Sequence, residues 1–118
     1  MNQKELDKIL ENHKLWLKTN GEQGKKADLS YANLRSADLR SANLDYSAFP
    51  LWCGGLDVHI DDKQATQLLY HLIRNVEYSK NTSKALKKIC RIKSLVNQAN
   101  KFHRINECGE IKSEVQGE

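Results

Sequence analysis

The chain is poor in the residues that mark several whole classes of protein. It holds one proline, Pro50, and six glycines in 118 residues, too few for a collagenous or low-complexity chain. Its three cysteines, Cys53, Cys90 and Cys108, are odd in number and scattered, which argues against a disulfide framework and suits a reducing compartment. No apolar run approaches the ~20 residues that span a bilayer, and the opening Met-Asn-Gln-Lys-Glu-Leu-Asp carries charge where a signal peptide needs an apolar stretch. A cytoplasmic protein is the expectation. Acid is missing from one region: Lys80 to Arg104 holds eight Lys/Arg and no Asp/Glu, whereas Met1 to Ser79 holds ten cations against eleven anions. The net charge of +4 therefore joins a near-neutral part to a basic one, and an anion-seeking surface belongs to the second.

With 39% hydrophobic and 29% charged residues, one compact domain with a modest core is expected. Its most informative stretch is ADLSYANLRSADLRSANLDYSAFPL, residues 27 to 51. Leu29, Leu34, Leu39, Leu44 and Phe49 recur every five residues, each two places after a small residue: Ala27, Ala32, Ala37, Ala42 and Ser47. On a helix, steps of five drift by about 140°, and on a strand an odd step flips the side chain to the opposite face. A chain that winds, turning once per repeat, can point every Leu and Ala inward.

The A(D/N)LXX pattern resembles the pentapeptide-repeat family. The resemblance implies a right-handed quadrilateral β-helix, four repeats to the coil, with the central Leu or Phe and the small residue inward and the other positions outward. The first four repeats follow the pattern; the fifth, Ser-Ala-Phe-Pro-Leu, departs from it and brings in the proline, which removes a backbone donor and suggests that the coil ends there. The expected class is therefore α+β: about one coil, capped by an N-terminal helix and a C-terminal helical segment.

The flanks supply the caps. Leu6, Ile9, Leu10, His13, Trp16 and Leu17 fall at helical spacing, followed by Thr19-Asn20-Gly21 as a stop and Gly21 to Gly24 as a link. The His-x-x-Trp-Leu order resembles the helix that precedes the repeats in small pentapeptide-repeat proteins of phages and mobile elements. After the repeats, Leu56, Val58 and Ile60 alternate like a short strand beyond Gly54-Gly55. Asp61 or Asp62 then caps a helix carrying Ala65, Leu68, Leu69, Leu72, Ile73 and Val76. Thr82 or Ser83 caps a last helix with Leu86, Ile89, Cys90, Leu95, Val96, Ala99 and Phe102 on one face. The expected organisation is a capping helix and link (1–26), the repeat coil (27–51), a strand and helix segment (52–107) and a solvated tail (108–118).

No catalytic constellation emerges, and an enzyme is not expected. Cys53 with His59 or His71 lacks an orienting group and oxyanion donors at recognisable spacing. Cys53, His59, His71, His103 and Cys108 form no metal clip, so neither metal nor cofactor is expected. Two charged sets remain. The basic set is Lys84, Lys87, Lys88, Arg91, Lys101 and Arg104, a stripe that would attract phosphates or an acidic partner. The acidic set is Asp28, Asp38, Asp45, Asp57, Asp61 and Asp62, outward carboxylates that imitate a phosphate row where rigidly spaced. Bracing of turns by Asp and Asn side chains is the plainer role for several of them.

The resemblance, together with this charge layout, implies a non-enzymatic inhibitor of phage type. It would bind a host complex that handles DNA, such as a CRISPR effector or a topoisomerase, and block DNA access partly by acidic mimicry. The alternatives are a nucleic-acid-binding accessory protein led by the basic helix, with weak direct contact to nucleic acid, and a self-associating module that forms a homodimer.

Overall fold

The computed structural model describes residues 1–112. The chain divides into two compact units at Asp61 and Asp62.

In the first unit, helix α1 spans Gln3–Lys18. The Asn2 side chain accepts from the Glu5 N–H at 2.8 Å, capping one orphan donor at the helix start, and its amide donates to the Glu5 carboxylate at 3.2 Å. The helix ends as Thr19, Asn20 and Gly21 turn out of register: Asn20 and Gly21 have positive φ, and the Gly21 N–H reaches back to the Trp16 carbonyl at 2.9 Å. Gly24 then brings the link hard against the helix. A Cβ there would collide with the Asn12 carbonyl oxygen and lie 2.8 Å from the Trp16 nitrogen.

Residues 27–61 wind back over themselves without forming strands. The expected quadrilateral β-helix, and with it the α+β class, is corrected: among the described residues there is no strand, sheet or barrel, and the regular secondary structure is helical. Parallel pairing occurs only as two isolated bridges among these residues, Asp28 with Ala48 and Asp38 with His59. The reason is local. Each five-residue repeat is largely consumed by a turn, closed by Ala32 N–H to Leu29, Ala37 to Leu34, Ala42 to Leu39 and Ser47 to Leu44 at 2.9–3.0 Å. Too few extended residues remain between turns to build a ladder. Ser36, Ser41 and Tyr46, the fifth residues of three repeats, take positive φ. The apolar logic of the period holds: Leu29, Leu34 and Leu39 are fully buried with Ala27, Ala37 and Leu6, while Leu44 and Phe49 pack partly against them. Burying each leucine stabilises the fold by about 2 kcal/mol.

The winding does not end at Pro50. The expected strand over Leu56, Val58 and Ile60 does not form. A 3-10 turn, Cys53–Gly55, comes first, and Asp57 takes positive φ. The chain then returns along the earlier repeats, with Leu34 N–H bonded to Gly54 O, Ser36 to Asp57 O and Leu39 to His59 O. Val58 and Ile60 pack on the leucine core, whereas Leu56 stays exposed.

The second unit contains α2 (Asp62–Tyr78), α3 (Lys84–Ile89), α4 (Lys93–Ala99) and α5 (Ile105–Cys108). The single last helix expected from Ser83 onward is broken at Cys90–Ile92. A continued stripe after Cys90 would fall on Lys93, Ser94 and Asn97; the apolar residues sit instead at Leu95, Val96, Ala99 and Phe102, and the break restores their phase. The buried face of α2 also differs from expectation. Tyr70, Ile73 and Val76 join Cys90, Val96, Ala99, Phe102 and Ile111, while Ala65, Leu68 and Leu72 remain exposed. Tyr70 stacks on Phe102 at 4.7 Å. Of the tail expected over 108–118, residues 108–110 and 112 are exposed, while Ile111 is buried and exchanges two hydrogen bonds with the Asn100 side chain. Residues 113–118 lie outside the described residues.

Candidate functional site

The second residue of each repeat explains its own chemistry. Asp28, Asn33, Asp38 and Asn43 each accept, through the side-chain oxygen, the backbone N–H two residues on, from Ser30, Arg35, Arg40 and Asp45 at 2.9–3.2 Å. A short side-chain acceptor at this place substitutes for a backbone partner and fixes the turn. Asp28 also accepts the Ser30 hydroxyl at 2.6 Å, and that bond, followed by the Ser30 N–H, holds its carboxyl below the usual range. Asp38 takes the Arg40 guanidinium through both oxygens at 2.9 and 3.0 Å. That pairing, then the Arg40 N–H, lowers its pKa to about 2. Both carboxylates are therefore ionised at neutral pH.

The other acids are also held. Asp57 pairs with Arg35 at 2.8 Å, and its carbonyl accepts the Ser36 N–H. Asp61 accepts the Ser41 N–H at 2.7 Å. Asp45 offers its carbonyl to the Nε2 of His13 at 2.9 Å. Asp62 opens α2 and belongs to the second unit. Five of the six expected acids thus lie in one unit. Residues 27–61 carry those five Asp against Arg35 and Arg40, so this segment is net negative by three charges.

The basic set is dispersed. Lys87 Nζ donates to the carbonyls of Val76, Glu77 and Ser79 at 2.7–3.2 Å, closing the end of α2. Arg91 pairs with Glu77 through two bonds, and Arg104 pairs with Glu107. The expected stripe is confined to Lys84, Lys87 and Lys88 on α3, because the break at Cys90–Ile92 puts Arg91, Lys101 and Arg104 beyond that helix. Lys84, Lys88 and Lys101 remain exposed, in a unit whose sequence from Asp62 on has eleven cations against six anions.

Among the described residues no three His, Cys, Asp or Glu converge as a metal would need. His71 Nδ1 meets the Gln67 carbonyl at 2.7 Å, and its ring and that of His103 lie edge-on to Phe102. Cys53 and Cys108 are exposed; Cys90 is buried, and that burial, then Glu77, pushes its thiol pKa up.

Two features escape the charge-based reading. The exposed backbone edge of the first winding is read by side chains of α1. Gln3 donates to the Asp38 carbonyl at 2.9 Å and accepts its N–H at 2.8 Å, while His13 accepts the Ala27 N–H at 3.0 Å through Nδ1. The only sequence signal for this was a polar His on an apolar stripe. The second is an outward apolar corner at Tyr31, Leu51 and Trp52. Leu51 could have been found as the fifth residue of the last repeat.

No helix among the described residues is long and apolar enough to cross a membrane. No curated protein and no solved structure matches the chain. The family model for pentapeptide repeats (8 copies) matches residues 25–49, the stretch whose Asp and Asn brace the turns. The chain is thus one that carries pentapeptide repeats, a segment that points to a protein–protein interaction module.

Proposed function

We propose that the protein is a non-enzymatic, phage-type inhibitor that acts by binding a host DNA-handling complex, such as a CRISPR effector or a topoisomerase. The carrying observation is the acidic winding: five carboxylates against two arginines over residues 27–61, four of them fixed through their own side chains to turns or arginines. Charges so held need little further ordering on binding and attract a cationic groove that otherwise takes DNA. Mimicry is local rather than whole-molecule, since Arg35 and Arg40 interrupt the carboxylates. Affinity capture from host lysate with wild type and with Asp45, Asp57, Asp61 and Asp62 changed to Lys tests the reading. DNA-handling proteins should be retained by the wild type and lost by the folded variant; retention by both removes the acidic surface from the account.

The exposed Lys84, Lys88 and Lys101 favour a second reading, an accessory protein that touches nucleic acid directly. Gel retardation at low salt, weakened by Lys84 and Lys88 to Ala, supports it; absence of any retardation removes it. Self-association through the α1 end of the winding is disfavoured, because Leu6, Gln3 and His13 already occupy that end.

A further inference from the structure

We propose that α3 displays a docking face for an acidic, amphipathic protein segment, whose apolar side chains cover Leu86 and Ile89 while its carboxylates meet Lys84 and Lys88. The face belongs to the second unit and stands apart from the acidic winding. Its lysines are those of the nucleic-acid reading; the apolar arc beside them is what changes the partner.

Helix α3 buries none of its six residues. A helix this short does not hold itself together in water, and other contacts keep it in place. The Ser83 side chain caps its start, accepting the Leu86 N–H at 3.1 Å, and Lys87 donates to three carbonyls at the end of α2 at 2.7–3.2 Å. Cys90, at its far end, enters the core. With Lys87 turned to α2 and a step of about 100° per residue, Ala85, Leu86 and Ile89 fall in one arc of about 100°, and Lys84 and Lys88 line one edge of it. All five are exposed, Leu86 at 47% and Ile89 at 51%. The apolar face of this amphipathic helix therefore points to solvent. It is already ordered, so little freedom is lost when a partner covers it.

Charge selects the occupant. Residues 62–112 hold eleven Lys/Arg against four Asp/Glu, net positive by seven. Among the described residues the side chains of Lys84 and Lys88 make no hydrogen bond or ion pair. Nor do the unit's acids cancel them. Glu77 is taken by Arg91 and Glu107 by Arg104, while Glu110 follows Gly109, whose carbonyl Arg74 holds. Asp62 opens α2 at the end opposite the carbonyls that Lys87 reaches, about 20 Å away along the helix. Nucleic acid would pair with the lysines but leave Leu86 and Ile89 in water, and α3 carries no aromatic side chain for a base to stack on. A bilayer would be offered two aliphatic side chains on a helix of about 9 Å, too little for interfacial anchoring. A second copy docked about a two-fold axis would set Lys84 and Lys88 against their own counterparts. An acidic amphipathic segment gains both apolar burial and opposite charge.

The probes are three amphipathic synthetic peptides, one of Glu and Leu, one of Lys and Leu and one of Glu and Ser, together with a short DNA duplex and phosphatidylserine vesicles. Each is titrated into the isotope-labelled full-length protein and followed by NMR. The Glu/Leu peptide should shift the amide resonances of Ala85, Leu86 and Ile89. Ile89→Ser, outside the core, should weaken it about tenfold or more. Changing Lys84 and Lys88 to Ala should weaken it and flatten its salt dependence, and Leu51→Ser, at an exposed leucine of the first unit, should leave it unchanged. Equal binding of the Lys/Leu peptide overturns the charge selection. Binding of Glu/Ser as tight as that of Glu/Leu, with Ile89→Ser silent, overturns the apolar anchor. Tighter binding of the duplex or the vesicles at α3 overturns the proposal in favour of nucleic acid or lipid, and a dimer in light scattering that Ile89→Ser dissolves does so in favour of a second copy. No shift at α3 with any probe removes the docking face altogether.

Discussion

His13 should be one of the most sensitive positions in the first unit, for a reason separable from its volume. The ring is 1% exposed, with Nδ1 accepting the Ala27 N–H at 3.0 Å and Nε2 donating to the Asp45 carbonyl at 2.9 Å. One side chain thus joins α1 to the start and to the last corner of the first winding. His13→Leu keeps an apolar side chain of useful size but leaves a buried N–H without a partner, at about 1–3 kcal/mol, and removes a second bond worth about 0.5–1.5 kcal/mol. A total loss of about 2–4 kcal/mol follows, which in a unit of this size lowers Tm by on the order of 15 °C. His13→Gln offers an amide oxygen to Ala27 and an amide N–H to Asp45, and should recover at least about 1 kcal/mol of that loss. Urea unfolding followed by tryptophan fluorescence reads the difference, since Trp16 stacks on His13 at 6.1 Å. Should the Leu variant prove as stable as the Gln variant, the ring would be space-filling and the backbone-reading account of α1 would be wrong.

Other consequences can be measured the same way. Gly24→Ala should cost about 2–3 kcal/mol or more, because positive φ adds ~1 kcal/mol to a collision with backbone of α1, whereas Gly21→Ala, which meets only the Trp16 ring edge, should cost about 1 kcal/mol. Lys87→Met should destabilise the second unit by about 1–3 kcal/mol, since three carbonyls lose their donor; Lys88→Met should stay within about 0.5 kcal/mol. The Asp38 carboxyl should titrate at about 2 by NMR, and Arg40→Gln should move it up towards 3.8. Because the folded pKa lies below the unfolded one, its stabilisation is present above 3.8 and is lost as pH falls towards 2. Acid unfolding over that window should therefore be steeper in the wild type than in Arg40→Gln.

The sequence carried α1 and the inward leucines clearly, because apolar periodicity reports directly on which side chains leave water. Leu29, Leu34 and Leu39 are buried as the five-residue period requires. It did not carry the backbone state between them. Parallel ladders need runs of extended residues, and repeats that turn every five residues leave only isolated bridges. The same limit explains the missed continuation past Pro50, where the pairing steps from 20 residues, Asp28 with Ala48, to 21, Asp38 with His59, so the later residues leave the strict five-residue frame. The break at Cys90–Ile92 was readable as a slip in helical phase. For the charged sets, the turn-bracing role of Asp28 and Asp38 was legible as the plainer reading of the repeat, whereas that Lys87 is spent on three carbonyls depends on contacts no spacing rule supplies. The pairing also sharpens the acidic set, since carboxylates fixed to backbone are better held as a surface than free ones.

The central claim is that the acidic winding competes for a DNA-binding groove. Its most direct test is displacement of a labelled DNA duplex from a purified CRISPR effector or type II topoisomerase, followed by fluorescence anisotropy at two salt concentrations. The account predicts that the wild type displaces the duplex from one of these complexes, less well at high salt, and that the folded variant with Asp45, Asp57, Asp61 and Asp62 changed to Lys does not. Displacement by both proteins alike, or by neither from either complex, would contradict it.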